Sequence, residues 1–269
     1  MKKLKLALIG KDVSKSLSPQ VHSFISKRMG NEVEYTNISV PEKDFEHRIE
    51  ELIKELDGFN VTIPYKLSVI PHLKMVEGDG KVFGSVNTVT TRNLSGDNTD
   101  GMGFSMMLEN NNVNVRGKEV LVLGAGGSGR SVSKKLLDAG AKVEIYDKIH
   151  EKAYNLAQEF IGITAIEKLE IKPYYLIVNA TGVGMHESEG QSPVDETLIS
   201  LCEVAVDLIY TPPKSRFLEI AENLGKTTLN GDGMLFYQAY FSECIYFDIK
   251  PDNLQAKQFF EEYLKEKSK

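Results

Sequence analysis

The 269-residue sequence is 41% hydrophobic and 26% charged, with a net charge of −6, which is the composition of a folded globular chain rather than a fibre or a disordered segment. The acidic balance, with no arginine or lysine block, argues against a nucleic-acid partner, and no apolar run is long enough to span a bilayer. The length allows two domains of ordinary size.

The chain starts with a strand. Leu4, Leu6 and Leu8 alternate with Lys3 and Lys5 as far as Gly10, the period of a half-buried strand. The lysines break the apolar run and make it too short for a leader peptide, so a cytoplasmic protein is expected. A polar loop over 11–17 leads to Ser18-Pro19. Serine is expected there as N-cap and proline as the first helical residue. That helix carries Val21, Phe24, Ile25 and Met29 and stops at Gly30. After a strand over 32–40, Pro41 opens a charged amphipathic helix bearing Phe45, Ile49, Leu52, Ile53 and Leu56, which ends at Asp57-Gly58. A strand over 59–63, a short helix over 66–75 and a hairpin of 85–91 with 94–98 follow, turning at Arg92-Asn93. This alternation reads as a small α/β domain. A helix from Asp100-Gly101 through Phe104, Met107 and Leu108 ends at the connector Asn110-Asn111-Asn112.

The strongest local signal comes next. Val120–Leu123 is a continuous apolar run, as in a strand buried on both faces. Gly124-Ala125-Gly126-Gly127-Ser128-Gly129 then matches G-x-G-x-x-G, and a helix with Val132, Leu136 and Leu137 runs to Gly140. A strand over 142–146 ends at Asp147. In the order strand, glycine turn, helix, strand, the motif has a mechanism. Gly124 permits the tight turn, Gly126 lets the backbone approach a pyrophosphate, Gly129 lets helix pack on strand, and the helix N-terminus offers N–H groups to the anion. Strands over 175–179, 204–208 and 227–229, with helices over 150–160, 195–201 and 213–223, complete this unit. Gly231-Asp232-Gly233 starts a helix over 234–247, and a last helix spans about 251–265. Both are expected to pack on the N-terminal domain, because the nucleotide unit is complete without them. The fold class is therefore α/β: a Rossmann-type NAD(P)-binding domain over 104–234, plus a smaller α/β substrate domain over 1–103 completed by C-terminal helices over 235–269.

The two cysteines, Cys202 and Cys244, sit in apolar surroundings and read as buried hydrophobes of a reducing compartment. The five histidines are scattered, with no H-x-x-x-H or C-x-x-C pair, so no metal site is expected.

Four polar clusters fall where strands end. Ser16-Leu17-Ser18-Pro19, with His22 one turn on, places two hydroxyls at a helix N-terminus, suited to a carboxylate; ordinary capping explains Ser18 equally well. Asn60–Lys66 delivers Thr62 on a strand and Lys66 after a proline-stiffened turn. A lysine presented into a pocket can give and take a proton, although most lysines are solvated surface charges. Gly84–Thr88 and Gly96–Gly101 gather Asn, Asp and Thr where a hairpin returns, which plain turn chemistry also explains. Gly231–Leu235, followed by Gln238, repeats the glycine turn into a helix.

Together the clusters resemble the shikimate dehydrogenases. The matching pieces are S-x-S-P-x-x-H at Ser16–His22, NVT-x-P-x-K at Asn60–Lys66, G-x-VNT at Gly84–Thr88 and GDNTDG at Gly96–Gly101. Then come GAGG-x-x-R at Gly124–Arg130, NAT at Asn179–Thr181, D-x-x-Y at Asp207–Tyr210 and G-x-x-ML-x-x-Q at Gly231–Gln238. They stand in order and cover nearly the whole chain. The resemblance implies reversible NADP-dependent reduction of 3-dehydroshikimate to shikimate in aromatic amino-acid biosynthesis. It implies Lys66 as the acid/base, paired with Asp100. Ser16 and Ser18, with Tyr210, would hold the substrate carboxylate, and Thr62, Asn87, Asp100 and Gln238 the ring hydroxyls. Gly124, Ala125, Gly126, Gly127, Ser128, Gly129 and Arg130 would hold the pyrophosphate, with Leu208 and Gly231 near the nicotinamide. A monomer or homodimer is expected.

The chain departs from that pattern after the second nucleotide-binding strand. NADP-dependent members usually carry Asn-Arg-Thr there; this chain has Asp147-Lys148-Ile149, with Lys152 one turn on. Aspartate suits the ribose hydroxyls of NAD and repels a phosphate, whereas the lysines attract one without arginine's fork. NADP is the expectation, with NAD or both as the alternative. A quinate/shikimate dehydrogenase shares the same lysine and aspartate. A nucleotide-sensing protein on this fold is the non-enzymatic reading, which the presence of Lys66 and Asp100 disfavours. In a methylenetetrahydrofolate dehydrogenase, the Ser16/Ser18 pair and Gln238 would lack a purpose.

Overall fold

The computed structural model describes residues 3–267. The expected domain ends at 1, 2, 268 and 269 lie outside the described residues. Two compact units are present. One is built from the chain up to Gly103 together with the chain from Phe236 onward, and the other spans Phe104–Leu235.

The first unit contains β1 (Leu4–Gly10), α1 (Ser18–Arg28), β2 (Val33–Ser39), α2 (Phe45–Glu55), β3 (Gly58–Val61), β4 (Met75–Val76), α3 (Gly78–Phe83), β5 (Thr88–Thr90) and β6 (Ser95–Asp97). Its six strands form one sheet in the order β2-β1-β3-β5-β6-β4. β1 runs parallel to β2 and β3, while β5 is antiparallel to both β3 and β6. The core on one face is Ala7, Ile9, Phe59, Val61 and Val89 from the sheet against Phe45, Ile49 and Leu52 from α2. Those helix positions recur at the four- and three-residue steps that put side chains on one face. Each such side chain, fully buried, stabilises the fold by about 1.5–3 kcal/mol relative to exposure.

The chain crosses to the second unit in α4 (Asp100–Asn110). It continues through β7 (Glu119–Leu123), α5 (Gly127–Asp138), β8 (Lys142–Tyr146), α6 (His150–Glu159), β9 (Ile163–Ala165), β10 (Tyr174–Asn179), α7 (Glu196–Ser200), β11 (Cys202–Asp207), α8 (Arg216–Asn223) and β12 (Thr227–Leu229). It returns in α9 (Asp232–Phe247) and ends with α10 (Asn253–Lys267). The second sheet is all parallel, in the order β12-β11-β10-β7-β8-β9. That is the Rossmann order, whose strand sequence reverses between β7 and β10, the position where such sheets bind nucleotides. Val120, Leu121, Val122, Ile177 and Val178 are wholly buried, as strands covered on both faces require.

Three local expectations are corrected. The helix expected over 66–75 is absent. Only one helical turn forms, closed by Val69 N–H donating to Tyr65 O at 3.0 Å, and a 3₁₀ turn, Ile70–His72, follows. Pro71 explains this, since in a helix interior it lacks the donor and its ring meets the carbonyl four residues back. The two-residue β4 starts at Met75, where the expected helix was to end, and the helix α3 stands where only loop was expected. Ser18 is not the N-cap: Leu17 holds that position with helical dihedrals and Ser18 is the first helical residue, which leaves its hydroxyl free for Ser16. Both cysteines are buried, and burial pushes their thiols up to about 11, leaving little thiolate at neutral pH.

Candidate active site

In the first unit, the turn after β3 is what aims Lys66. Thr62 N–H donates to Ile9 O at 2.9 Å and Tyr65 N–H to Thr62 O at 2.8 Å. The Tyr65 ring stacks on Phe45 at 4.0 Å, and its hydroxyl donates to Val40 O. Lys66 O accepts from Val86 N–H at 2.8 Å. Held at both ends, Lys66 directs Nζ to Asp100 Oδ2 in a short ion pair whose side chains are 11% and 9% exposed. At such depth the pair is screened far less than a surface salt bridge.

Asp100 is fixed in turn. Its backbone N–H donates to Asn98 Oδ1 at 3.0 Å, and its Oδ1 accepts from Asn87 Nδ2 at 2.7 Å. Asn98 itself donates to Ser85 O and Ser85 Oγ at 3.0 and 2.9 Å. Asn87 Nδ2 also reaches Gln238 Oε1 at 3.4 Å. Lys66, Asp100, Asn87 and Gln238 therefore form one cluster, drawn from the ends of β3 and β5, the start of α4 and the middle of α9. Ser16 and Ser18 pair through their hydroxyls at 3.1 Å, and Asn37 Nδ2 holds Ser16 O at 3.1 Å. Thr62 belongs to this unit; Tyr210 lies in the other, just after β11.

In the second unit, Gly124 adopts φ +100° where β7 ends, and a Cβ there would lie 3.0 Å from Ala180 O. A Cβ on Gly129 would fall 1.9 Å from Gly124 O, whereas one on Gly126 would meet nothing within 4 Å. α5 has no side-chain cap, and its first backbone bond is Arg130 N–H to Gly126 O at 2.8 Å. The first-turn N–H groups are thus presented beside the open face of Gly126, an arrangement that fits a dinucleotide pyrophosphate.

The other residues expected at the nucleotide divide. Arg130 donates through Nη2 to Glu159 and lies over the Phe160 ring at 4.9 Å, so its guanidinium is engaged with the end of α6. Asp147 is tied to backbone: its Oδ2 accepts from Ala125 N–H and its Oδ1 from Ile149 N–H, both at 2.8 Å. Lys148 and Lys152 are exposed, and neither forms an ion pair among the described residues. Leu208 and Gly231 meet directly, a Cβ on Gly231 falling 2.1 Å from Leu208 O.

Two residues that open quoted motifs but carry no role from sequence help build this site. Asn179 and Asp207 are wholly buried at the carboxyl ends of β10 and β11. Asp207 Oδ1 accepts from Asn179 Nδ2 at 3.1 Å and Ile209 N–H at 3.0 Å, and Oδ2 from Ser215 Oγ at 2.5 Å. They fasten the loop that carries Leu208 and Tyr210. A polar residue closing an otherwise apolar strand was the available sign.

Burial holds the Asp207 carboxyl above the ordinary carboxylate range, against the lowering effect of its hydrogen bonds. A raised value in the folded state means that its contribution to stability is complete in acid and is lost as pH rises through that value. Asp207→Asn, which cannot ionise, should therefore be penalised more in acid than at neutral pH. Urea denaturation of both proteins at the two pH values checks this; a gap that widens toward neutrality contradicts it.

Comparison with known proteins identifies the family. A family model for the shikimate dehydrogenase substrate binding domain matches residues 8–89. The chain is 39% identical over 243 residues to a shikimate dehydrogenase (NADP(+)) of Carboxydothermus hydrogenoformans, covering 86% of this chain and 87% of that protein. The chain belongs to the shikimate dehydrogenase family. Solved structures of that family agree in fold. A chorismate mutase/shikimate 5-dehydrogenase fusion protein from Clostridium acetobutylicum matches with TM-score 0.87 and 33% identity, over 99% of each chain. Shikimate 5-dehydrogenase of Thermus thermophilus, in complex with NADP(H) and shikimate, matches with TM-score 0.86 and 33% identity, over 96% of this chain and 99% of that one.

Proposed function

We propose that this protein is a shikimate dehydrogenase that reduces 3-dehydroshikimate to shikimate with NADPH, reversibly. The observation that carries the reading is the desolvated Lys66–Asp100 pair, flanked by Asn87 and Gln238. Bound NADPH supplies the hydride for the ketone carbon. As negative charge grows on the ketone oxygen, Lys66 stabilises it and delivers the proton. Asp100 holds the ammonium group in place and accepts from a neighbouring ring hydroxyl, with Asn87 and Gln238 on the hydroxyls beside it. Ser16 and Ser18 hold the carboxylate, and Thr62 adds a further hydroxyl contact. The open face of Gly126 and the start of α5 receive the pyrophosphate, and Leu208 and Gly231 line the nicotinamide. A role in aromatic amino-acid biosynthesis in the cytoplasm goes with this reading. No helix among the described residues is long and apolar enough to cross a membrane.

Rates of NADP⁺ and NAD⁺ reduction with shikimate, and with quinate as the competing acid, test it. Fast turnover of shikimate with NADP⁺ supports the reading. Comparable quinate turnover, or preference for NAD⁺, would move the protein to the quinate/shikimate group.

The cofactor preference has its own test. Asp147 already accepts two backbone N–H groups, and Lys148 and Lys152 are the exposed cations beside it. Lys148→Ala combined with Lys152→Ala should raise the KM for NADP⁺ about tenfold through lost charge-assisted contacts, with the KM for NAD⁺ nearly unchanged. Equal effects on both cofactors would remove the lysines from 2′-phosphate recognition.

A further inference from the structure

Beneath the candidate substrate cluster lies a second buried polar group that the proposed chemistry does not use. α1 presents Ser18, His22 and Ser26 at four-residue steps, hence along one face, and all three are buried. Opposite them stands Glu243 of α9, wholly buried. His22 Nδ1 lies 2.6 Å from Glu243 Oε1, and Ser26 Oγ donates to Oε2 at 2.5 Å. The other ring nitrogen, His22 Nε2, is buried and meets no hydrogen-bond partner among the described residues, so the polar chemistry of the ring is directed at Glu243 alone. The His22 ring stacks on Tyr35 at 4.1 Å. The hydroxyls of Tyr35 and Tyr246 both donate to Asn60 Oδ1, at 2.8 and 2.9 Å.

A buried carboxylate is a poor way to gain stability, because a well-packed apolar pair of the same volume does as well or better. What it adds is direction. Apolar ridges tolerate a small slide of one helix along another, but short bonds to both carboxylate oxygens do not. Ser18 lies one turn above His22 on α1, and Gln238 lies five residues before Glu243 on α9. The neighbouring Ser242 hydroxyl bonds with Asn60, Thr88 and Thr99 at 3.1, 2.8 and 3.1 Å, so α9 is tied to the sheet at the same level.

We propose that His22, Ser26 and Glu243 are positioning residues. They form a clamp that sets the axial register of α1 against α9, and with it the spacing between the Ser16/Ser18 hydroxyl pair and Gln238. The proposal rests on the reading of those three residues as the substrate's anchors. Breaking the clamp should loosen shikimate binding and leave the acid/base pair and the nucleotide unit as they are.

Steady-state kinetics of Glu243→Gln test this, with Ser26→Ala as a milder variant that removes one bond and keeps the His22 contact. The expected result is a KM for shikimate about tenfold higher in Glu243→Gln and a smaller rise in Ser26→Ala, with kcat changed less than about threefold and NADP⁺ affinity unchanged. A merely structural role would lower the melting temperature and the active fraction, so kcat would fall with KM unmoved. If Glu243→Gln does not fold, the KM of Ser26→Ala decides. A shikimate KM within twofold of the unaltered protein in the folded variants overturns the clamp alone. Absence of shikimate turnover in the unaltered protein overturns the underlying functional reading together with it.

Discussion

Lys66→Ala should lower kcat about 10²–10⁴-fold, the usual contribution of a positioned general acid, while the dissociation constant for NADPH stays within a factor of about two. The reason is local. Lys66 Nζ is the cation paired to Asp100 in a cluster where both side chains are about a tenth exposed, and the other groups that hold Asp100, Asn87 and Asn98, are neutral. Without Lys66, charge developing on the ketone oxygen meets the Asp100 carboxylate with no ammonium between them. The residues proposed to bind the nucleotide, in α5 and just after β8, belong to the other unit, so cofactor affinity is expected to stay as it is. Lys66→Arg should not restore turnover, because a guanidinium keeps its charge but does not surrender its proton near neutral pH. Titration of NADPH fluorescence, together with kcat for both variants, checks the pair of expectations. Near-normal turnover in Lys66→Ala would remove this residue from the chemistry.

The second large effect separates two glycines three residues apart. Gly129→Ala places a Cβ 1.9 Å from Gly124 O and 2.9 Å from Gly124 C, both backbone atoms. The turn and α5 must part to make room, which destabilises the unit by about 3 kcal/mol or more, at the upper end of overpacking. Gly126→Ala meets nothing within 4 Å and needs no unusual dihedral, its φ being −76°. That variant should melt close to the unaltered protein, yet bind NADPH at least about tenfold more weakly, because the added methyl projects where the pyrophosphate would approach the backbone. Melting curves and NADPH titration of the two variants give the test. A Gly126→Ala protein with full NADPH affinity would put the phosphates elsewhere.

Much of this was legible in the residues, for physical reasons that differ from place to place. The nucleotide unit announces itself because strands covered on both faces are continuous apolar runs and because the turn at 124–129 needs glycine at defined positions. The Lys66–Asp100 partnership was legible only through family resemblance: the residues are 34 apart, and their meeting depends on the turn that Tyr65 anchors under Phe45. The strand Met75–Val76 was not legible. Two residues carry no period, and the strand exists because β6 offers it an edge. The helix α3 starts with Gly78-Asp79-Gly80, which by propensity is a loop; Gly80 N–H donating to Asp97 Oδ1 at 2.9 Å helps hold it in place. The Glu243 clamp brings together residues 221 positions apart in sequence. Its traces were His22, which closes the S-x-S-P-x-x-H motif, and a glutamate in the mostly apolar α9, where a solvated residue would not be expected.

The forward reaction tests the proposed activity most directly. Purified protein is mixed with 3-dehydroshikimate and NADPH, and cofactor oxidation and shikimate formation are followed together. One shikimate is expected for each NADPH oxidised, with Lys66→Ala slowed about 10²–10⁴-fold in the same assay. NADPH left unoxidised, or oxidised without shikimate appearing, would contradict that activity and leave only the fold and the family standing.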